Sequence, residues 1–243
     1  DERRDFNEHF LPILLKNYGK LVSSMTKLKM EEGFIEKLPN ELKPLLEIGW
    51  LLPAKLFECP KCKRQTILSA DKIQAATCQS DRVPLNFKKD VYVLSDRAYQ
   101  VWNVWMEEYS RYMLQNLPCK YVESGLSFKP LGHKGVTVVE EVDVVVVYNG
   151  ISIAVECKEY VSCKEEKNDL LNIVHKMENL GLFDAIILVY KDVDNQRAFN
   201  LMVRKYEKYL YPILIQRPDK FKQELHQTLV LIEENLSETD ISI

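Results

Sequence analysis

Two acidic residues and a lysine have the types and spacing needed for metal-dependent hydrolysis. Asp143 precedes an Asn149-Gly150 pair by six residues, Glu156 follows the pair by six, and Lys158 comes two positions later. Paired carboxylates bind hard divalent cations through oxygen, and Mg²⁺ commonly takes only one or two of them from the protein. Such an ion lowers the pKa of bound water and neutralises charge on a phosphate, while a nearby lysine orients the attacking water or stabilises developing charge.

Two strand-like runs must position these side chains. Residues 142–148 and 151–157 are rich in apolar and β-branched side chains, and the Asn-Gly pair between them predicts a tight hairpin because both turn positions need positive φ. This hairpin brings Asp143 and Glu156 side by side at its open end. Lys158 leaves the strand on the face of Glu156 because side chains alternate. The alternative interpretation is a hairpin whose terminal charges are merely solvated.

The arrangement of Asp143, twelve intervening residues and then Glu156-Cys157-Lys158 resembles the PD-(D/E)XK nuclease superfamily. The resemblance implies an α/β, restriction-endonuclease-like fold, in which helices flank a mixed β-sheet. It also implies phosphodiester hydrolysis of nucleic acid with Mg²⁺ or Mn²⁺, with Asp143 and Glu156 as metal ligands and Lys158 positioning the water. We expect DNA ahead of RNA as substrate. Many members pair two active sites as dimers, so a homodimer is an option that the sequence leaves open.

A second segment narrows the resemblance. Trp105-Met106-Glu107-Glu108-Tyr109 resembles a segment of the nuclease domains of CRISPR-associated, cyclic-oligoadenylate-responsive effectors, where it also precedes such a hairpin. The similarity covers roughly residues 96–190, and the sensor domain of those effectors is not recognisable in residues 1–95. The motif position makes Glu107 a further catalytic acid, whereas helical periodicity favours Glu108. We select Glu107.

A different class of function is also compatible with these residues. A vestigial nuclease fold would make the chain a non-catalytic nucleic-acid-binding or assembly protein. The presence of Asp143, Glu156 and Lys158 together argues against this alternative, because a vestigial site is free to lose them. The net charge of −3 argues weakly for it, although it does not exclude a local basic groove.

Cysteines upstream form a second pattern, which resembles a zinc ribbon. Cys59 and Cys62 make a CxxC pair, and fifteen residues later Cys78 begins a run that ends at Asp81. Structural zinc takes four ligands in a tetrahedron. Three interpretations stay open: a Cys59, Cys62, Cys78 and Asp81 site, a site completed by Cys119 or His133, or a degenerate ribbon without metal.

Composition and periodicity indicate three regions in an intracellular protein. With 46% hydrophobic residues among 243, a packed core is feasible. We predict a helical or winged-helix-like segment over 1–58, a zinc-ribbon-like module over 59–90 and the nuclease-like domain over 91–243. No run is long enough to span a membrane, and the charged first nine residues lack a signal-peptide pattern. The CxxC pair favours a reducing compartment, the cytoplasm.

Periodicity also predicts the order of elements in the third region. We expect a helix over 96–117, a short strand near 121, the hairpin, a helix over 165–180, a strand over 185–190, a helix over 195–210, a strand over 211–215 and a helix over 218–236.

Overall fold

The computed structural model describes residues 2–29, 33–69, 76–128, 139–164 and 167–240. They form two compact units, Asp1–Val104 and Trp105–Ile243. The division falls inside one helix, Asp96–Gln115. The predicted limits at residues 58 and 90 stay a prediction.

The first unit combines short helices with a small antiparallel sheet. Its strands have the order β2-β1-β3. Phe10 lies at its core, stacked on Trp50 with the ring centroids 5.4 Å apart and meeting Trp102 edge-on at 6.1 Å. The elements are α1 (Glu2–Asp5), a π-helical turn (Phe6–Phe10), α2 (Leu11–Lys27), a 3-10 turn (Asn40–Leu42), α3 (Lys43–Glu47), β1 (Leu51–Glu58), β2 (Gln65–Ser69) and β3 (Asn86–Leu94).

The second unit contains the mixed five-stranded sheet that the sequence predicts. The strand order is β10-β9-β6-β5-β4, with antiparallel pairing from β4 to β6 and parallel pairing from β6 through β9 to β10. The elements are α4 (Asp96–Gln115), β4 (Tyr121–Phe128), β5 (Glu140–Tyr148), β6 (Ile151–Val161), β7 (Cys163–Lys164), β8 (Lys167–Asn168), α5 (Asp169–Leu180), β9 (Ala185–Val193), α6 (Gln196–Lys205), β10 (Leu210–Leu214) and α7 (Pro218–Asp240). This α/β architecture confirms the predicted fold class.

Helices pack on this sheet through apolar side chains. Buried residues of α5 and α6 join Ala154, Ile186 and Leu188 of the sheet in one hydrophobic cluster. Tyr109 of α4 stacks on Phe221 of α7 with the ring centroids 5.4 Å apart. Among the residues described, no helix is both long and apolar enough to cross a membrane.

Helix α5 begins later than the periodicity predicts. The expected start is Glu165, but the described helix starts at Asp169, because Asn168 has extended backbone angles and pairs with Cys163 across β7 and β8. The Asn168 side chain accepts a hydrogen bond from the backbone N–H of Leu171 at 3.0 Å, which caps the helix.

The turn between β5 and β6 has the predicted backbone geometry. Asn149 and Gly150 have φ values of 48° and 87°. From Tyr148 opposite Ile151, the pairing continues without a shift to Val144 opposite Val155. The turn therefore sets the register of the whole hairpin.

A pair of glycine substitutions tests the role of this turn. Gly150→Ala should lower the free energy of unfolding by about 1 kcal/mol, since an L side chain at positive φ is strained. Gly19 lies inside α2 with nothing within 4 Å of an added Cβ. Gly19→Ala should therefore raise the free energy of unfolding by about 0.5–1 kcal/mol. Urea denaturation measures both, and an unchanged midpoint for Gly150→Ala would contradict the assignment of the turn.

Candidate active site and metal centre

The open end of the β5–β6 hairpin brings Asp143 and Glu156 together. The ladder between the two strands runs from the turn to the Val144–Val155 pair, and Asp143 and Glu156 are the residues that come next beyond its last pair. The Asp143 carboxylate Oδ2 accepts the backbone N–H of Cys157 at 2.6 Å. The side chain of Asp143 is thus fixed beside the strand that carries Glu156.

Both carboxyls are taken out of water at this position. Glu156 is only 1% exposed and Asp143 is half-buried. Burial raises the pKa of Asp143, opposed by the Cys157 N–H and by Lys158 and Lys176. Burial and the nearby Asp143 raise the pKa of Glu156 to about 7. The pair therefore has an unfavourable concentration of negative charge, which a divalent cation would relieve.

Two neighbouring glutamates on α4 have different environments. Burial raises the pKa of Glu107 to about 8, with further contributions from Asp143, Glu141 and Glu156. Glu108 is instead buried against Arg111, at 2.8 Å from the guanidinium Nη2, and accepts the Ser124 hydroxyl at 2.6 Å. Glu107 is thus the α4 carboxyl that shares the field of the hairpin acids, whereas Glu108 is occupied by two polar partners.

Lys158 and part of α5 line a cleft beside these carboxyls. The cleft has a volume of about 400 Å³ and is bounded by Glu156, Lys158 and Lys176 together with the polar α5 residues Asn172, His175 and Asn179. Lys158 is close enough to Asp143 to lower its pKa. The cleft therefore places one hairpin acid, Glu156, beside two cations, while Asp143 lies on the neighbouring strand and is not one of the lining residues.

Lys176 is a site residue that sequence reasoning did not identify in this role. Its ammonium donates to Glu156 Oε1 at 2.5 Å and to the backbone carbonyl of Glu141 at 2.7 Å. The available signal was its position three residues after Ile173, whose buried side chain shows that this side of α5 faces the sheet.

The cysteines of the first unit form a compact group with Asp81. Their ligand atoms, in Cys59, Cys62, Cys78 and Asp81, all lie within 4.8 Å of one another. The Cys62 and Cys78 sulfurs are 3.7 Å apart, and Asp81 Oδ2 lies 3.3 Å from the Cys59 sulfur and 3.5 Å from that of Cys78. A tetrahedron with metal–sulfur bonds of about 2.3 Å and metal–oxygen bonds of about 2.0 Å has edges of about 3.8 and 3.5 Å. These three separations match the edges of such a tetrahedron, and the other three lie within 4.8 Å.

The backbone explains why Asp81 takes part. In the first turn, Lys63 has a φ of 60° and donates its N–H to the Cys59 carbonyl at 3.0 Å. In the second, Arg82 has a φ of 52° and donates to the Cys78 carbonyl at 2.8 Å. The two turns have the same design, so Asp81 lies at the position equivalent to Cys62. This geometry favours the Cys59, Cys62, Cys78 and Asp81 site over completion by His133, which lies outside the described residues.

The two candidate metal sites differ in compactness. Among the described residues, the cysteine group is the one set of three or more His, Cys, Asp or Glu ligands gathered within 4.8 Å. Glu107, Asp143 and Glu156 are coupled through their charges without forming so tight a set. That looser arrangement fits Mg²⁺, which keeps several water ligands and uses one or two carboxylates.

The raised pKa values predict how stability of the metal-free protein depends on pH. Unfolded glutamates ionise near pH 4.5, whereas Glu107 and Glu156 stay protonated in the folded protein to about pH 8 and 7. The folded state binds more protons in this window, so stability should fall as pH rises through it. In the wild type, Tm should therefore drop as pH rises. In Glu107→Gln this drop should be smaller by at least about 2 °C, which is roughly the effect of 1 kcal/mol in a chain of this size.

Thermal denaturation in EDTA between about pH 5 and pH 8 measures this difference. The control is Glu234→Gln, which changes an exposed glutamate on α7 of the same unit. Equal pH dependence in the wild type and in Glu107→Gln would show that Glu107 is not in the field of the hairpin acids.

Comparison with solved structures identifies the fold. The chain is similar to Can2 from Sulfobacillus thermosulfidooxidans, solved in complex with cyclic tetra-adenylate, with a TM-score of 0.51 and 15% identity over 90% of this chain and 54% of that one. Protein VC1899 from Vibrio cholerae has a TM-score of 0.47 and 14% sequence identity, over 96% of this chain and 55% of its own. A repair endonuclease from Pyrococcus abyssi has a TM-score of 0.28 and 14% sequence identity, over 76% of this chain and 99% of its own.

These similarities have defined limits. No family model matches the chain, and no curated protein matches its sequence. The chain spans about half the length of Can2 and of VC1899. Of the three structures, only Can2 has a TM-score above 0.5, and at 15% identity it bears on the fold alone. The comparison thereby confirms the resemblance at the level of the fold alone: the chain shares the fold of Can2.

Proposed function

We propose that this chain is a metal-dependent nuclease that hydrolyses phosphodiester bonds through Asp143, Glu156 and Lys158. The observation that carries the proposal is that Asp143 is held by the Cys157 N–H beside the strand that carries Glu156 and Lys158, and that Glu156 and Lys158 line a polar cleft. A solvated hairpin end would not need a glutamate that is 1% exposed.

Each residue has a distinct part in the proposed reaction. Asp143 and Glu156 would hold Mg²⁺ or Mn²⁺, which supplies charge neutralisation at the phosphate and a more acidic bound water. Lys158, on the same face as Glu156, orients the water that attacks phosphorus. Glu107, with its pKa raised to about 8, exchanges a proton with the site near neutral pH.

The substrate is proposed to be nucleic acid, with DNA preferred to RNA. The net charge of −3 gives no general attraction to a polyanion, so binding must rely on local cations. Lys158 and Lys176 both line the cleft. Pairing of two copies as a homodimer belongs to the same proposal, by analogy with the superfamily.

The cysteine cluster is proposed to hold structural zinc. Three thiolates and one carboxylate leave no open position in a tetrahedron, so the site would stabilise its module rather than catalyse. The Asp81 N–H lowers the pKa of Cys78, whereas the Asp81 carboxylate raises the pKa of Cys62 to about 12, so zinc binding to this group would release protons.

A cleavage assay tests the catalytic proposal. Wild-type protein should nick a plasmid or cut short oligonucleotides with Mn²⁺, and Glu156→Ala, Asp143→Asn and Lys158→Met should each lower the rate at least about a hundredfold. Glu234→Gln, an exposed change on α7, should cut at the wild-type rate. Equal cleavage by wild type and Glu156→Ala, or none by either across several substrates, would contradict the proposed catalytic site.

Elemental analysis tests the zinc proposal. The purified chain should contain about one zinc, and Cys59→Ser should lose it because a hydroxyl is a poor substitute for a thiolate. Asp81→Cys should retain the metal, since it restores the commoner four-thiolate set. Cys119→Ser serves as the control for cysteine loss, and loss of zinc in that variant would instead indicate a site completed from Cys119.

A further inference from the structure

The ammonium of Lys176 has two acceptors of different kinds. It donates to the Glu156 carboxylate at Oε1, 2.5 Å away, and to the main-chain carbonyl of Glu141, 2.7 Å away. The Lys176 side chain is 18% exposed and that of Glu156 is 2% exposed. The contact is therefore a largely buried ion pair and not a loose surface interaction.

Both ends of this contact are held by the fold. Ile173 and Met177 are buried on α5 and flank Lys176 in sequence, which fixes the helix against the sheet. The Glu141 carbonyl belongs to the backbone of β5, so it cannot follow a moving lysine. An ammonium tied to a strand carbonyl is an anchor, and it does not depend on Glu156 alone for its position.

The hydrogen bond from Lys176 makes the two carboxylate oxygens of Glu156 unequal as metal ligands. Oε1 accepts the Lys176 ammonium, and a cation bound to that oxygen would lie beside the ammonium charge, so Oε2 is the favoured oxygen for a metal ion. Mg²⁺ needs near-ideal octahedral geometry and binds carboxylates through one oxygen, whereas Ca²⁺ also accepts both oxygens of one carboxylate in a looser shell. A glutamate confined to one available oxygen suits the smaller ions.

We propose that Lys176 is a positioning residue that makes Glu156 a one-oxygen metal ligand and thereby selects Mg²⁺ and Mn²⁺ over Ca²⁺. This inference rests on the proposed nuclease site and adds the determinant of its metal preference. Lys176 itself contacts neither the ion nor the scissile bond.

The ratio of Ca²⁺ to Mg²⁺ affinity distinguishes this positioning role from the general effect of the Lys176 charge on cation binding. Removing Lys176 also removes a positive charge beside the site, which strengthens binding of every divalent ion by a similar factor. Only release of Glu156 Oε1 would favour Ca²⁺ in particular. Lys176→Met should therefore shift the ratio of Ca²⁺ to Mg²⁺ affinity toward Ca²⁺ by about tenfold, at the low end of the 10- to 100-fold effects seen when hydrogen-bond partners of metal ligands are changed.

Isothermal titration of the full chain with Mg²⁺, Mn²⁺ and Ca²⁺ at alkaline pH, without nucleic acid, measures the ratio directly. Glu156→Gln defines the binding that belongs to this site. Lys222→Met, which removes the same charge from an exposed position on α7, should leave the ratio unchanged. Lys176→Gln, of similar length but neutral, should give an intermediate ratio and provides the comparison if Lys176→Met fails to fold.

The outcomes separate the two proposals. A wild-type chain that binds Mn²⁺ through Glu156, with an unchanged Ca²⁺ to Mg²⁺ ratio in both Lys176 variants, overturns the positioning role and leaves the nuclease proposal standing. Equal tightening of all three ions does the same. Divalent binding that is identical in the wild type and Glu156→Gln overturns the nuclease site and the inference together.

Discussion

The candidate site of the second unit depends on several carboxyl groups that are largely buried and close to one another. Glu107, Asp143 and Glu156 each have a raised pKa, for which burial is the main cause. Burying like charges is strongly unfavourable unless they are compensated. The compensation comes from fixed groups: the Cys157 N–H on Asp143, and Lys176 on Glu156. These groups lie on β6 and α5. The charge balance of the site therefore depends on the packing of α5 on the sheet.

The pair of glutamates on α4 shows how the same side chain takes two roles. Glu108 has its charge matched by Arg111 and its second oxygen occupied by Ser124, so it behaves as a structural ion pair. Glu107, one residue earlier, has its pKa raised to about 8 by burial and by the hairpin acids. The charge of Glu108 is balanced by an arginine, whereas Glu107 lies in the field of other acids, so a divalent cation nearby would relieve more unfavourable charge at Glu107. The environment, rather than residue type, distinguishes the candidate catalytic acid from the structural one.

The hairpin could be predicted from sequence because its determinants are local. Asn149-Gly150 favours the tight turn, and the turn fixes the register up to the Val144–Val155 pair, directly beyond which Asp143 and Glu156 follow. Lys176 could not be assigned in the same way, since its partners are 20 and 35 residues distant and meet it only through tertiary packing. The start of α5 was misplaced for a related reason: pairing of Asn168 with Cys163 overrides helical propensity just before the cap.

The thiol of Cys157 does not belong to the group of hairpin acids, although its neighbour in sequence, Glu156, does. It lies between Glu156 and Lys158 in sequence, yet strand alternation turns it to the opposite face, where it contacts the Ser110 hydroxyl at 3.6 Å. Burial raises its pKa well above that of an ordinary thiol. A thiol kept neutral offers no thiolate to a soft metal such as zinc. The hairpin acids offer carboxylate oxygens, whereas the paired turns of the first unit bring together three sulfurs and one carboxylate, so the two groups differ in ligand chemistry.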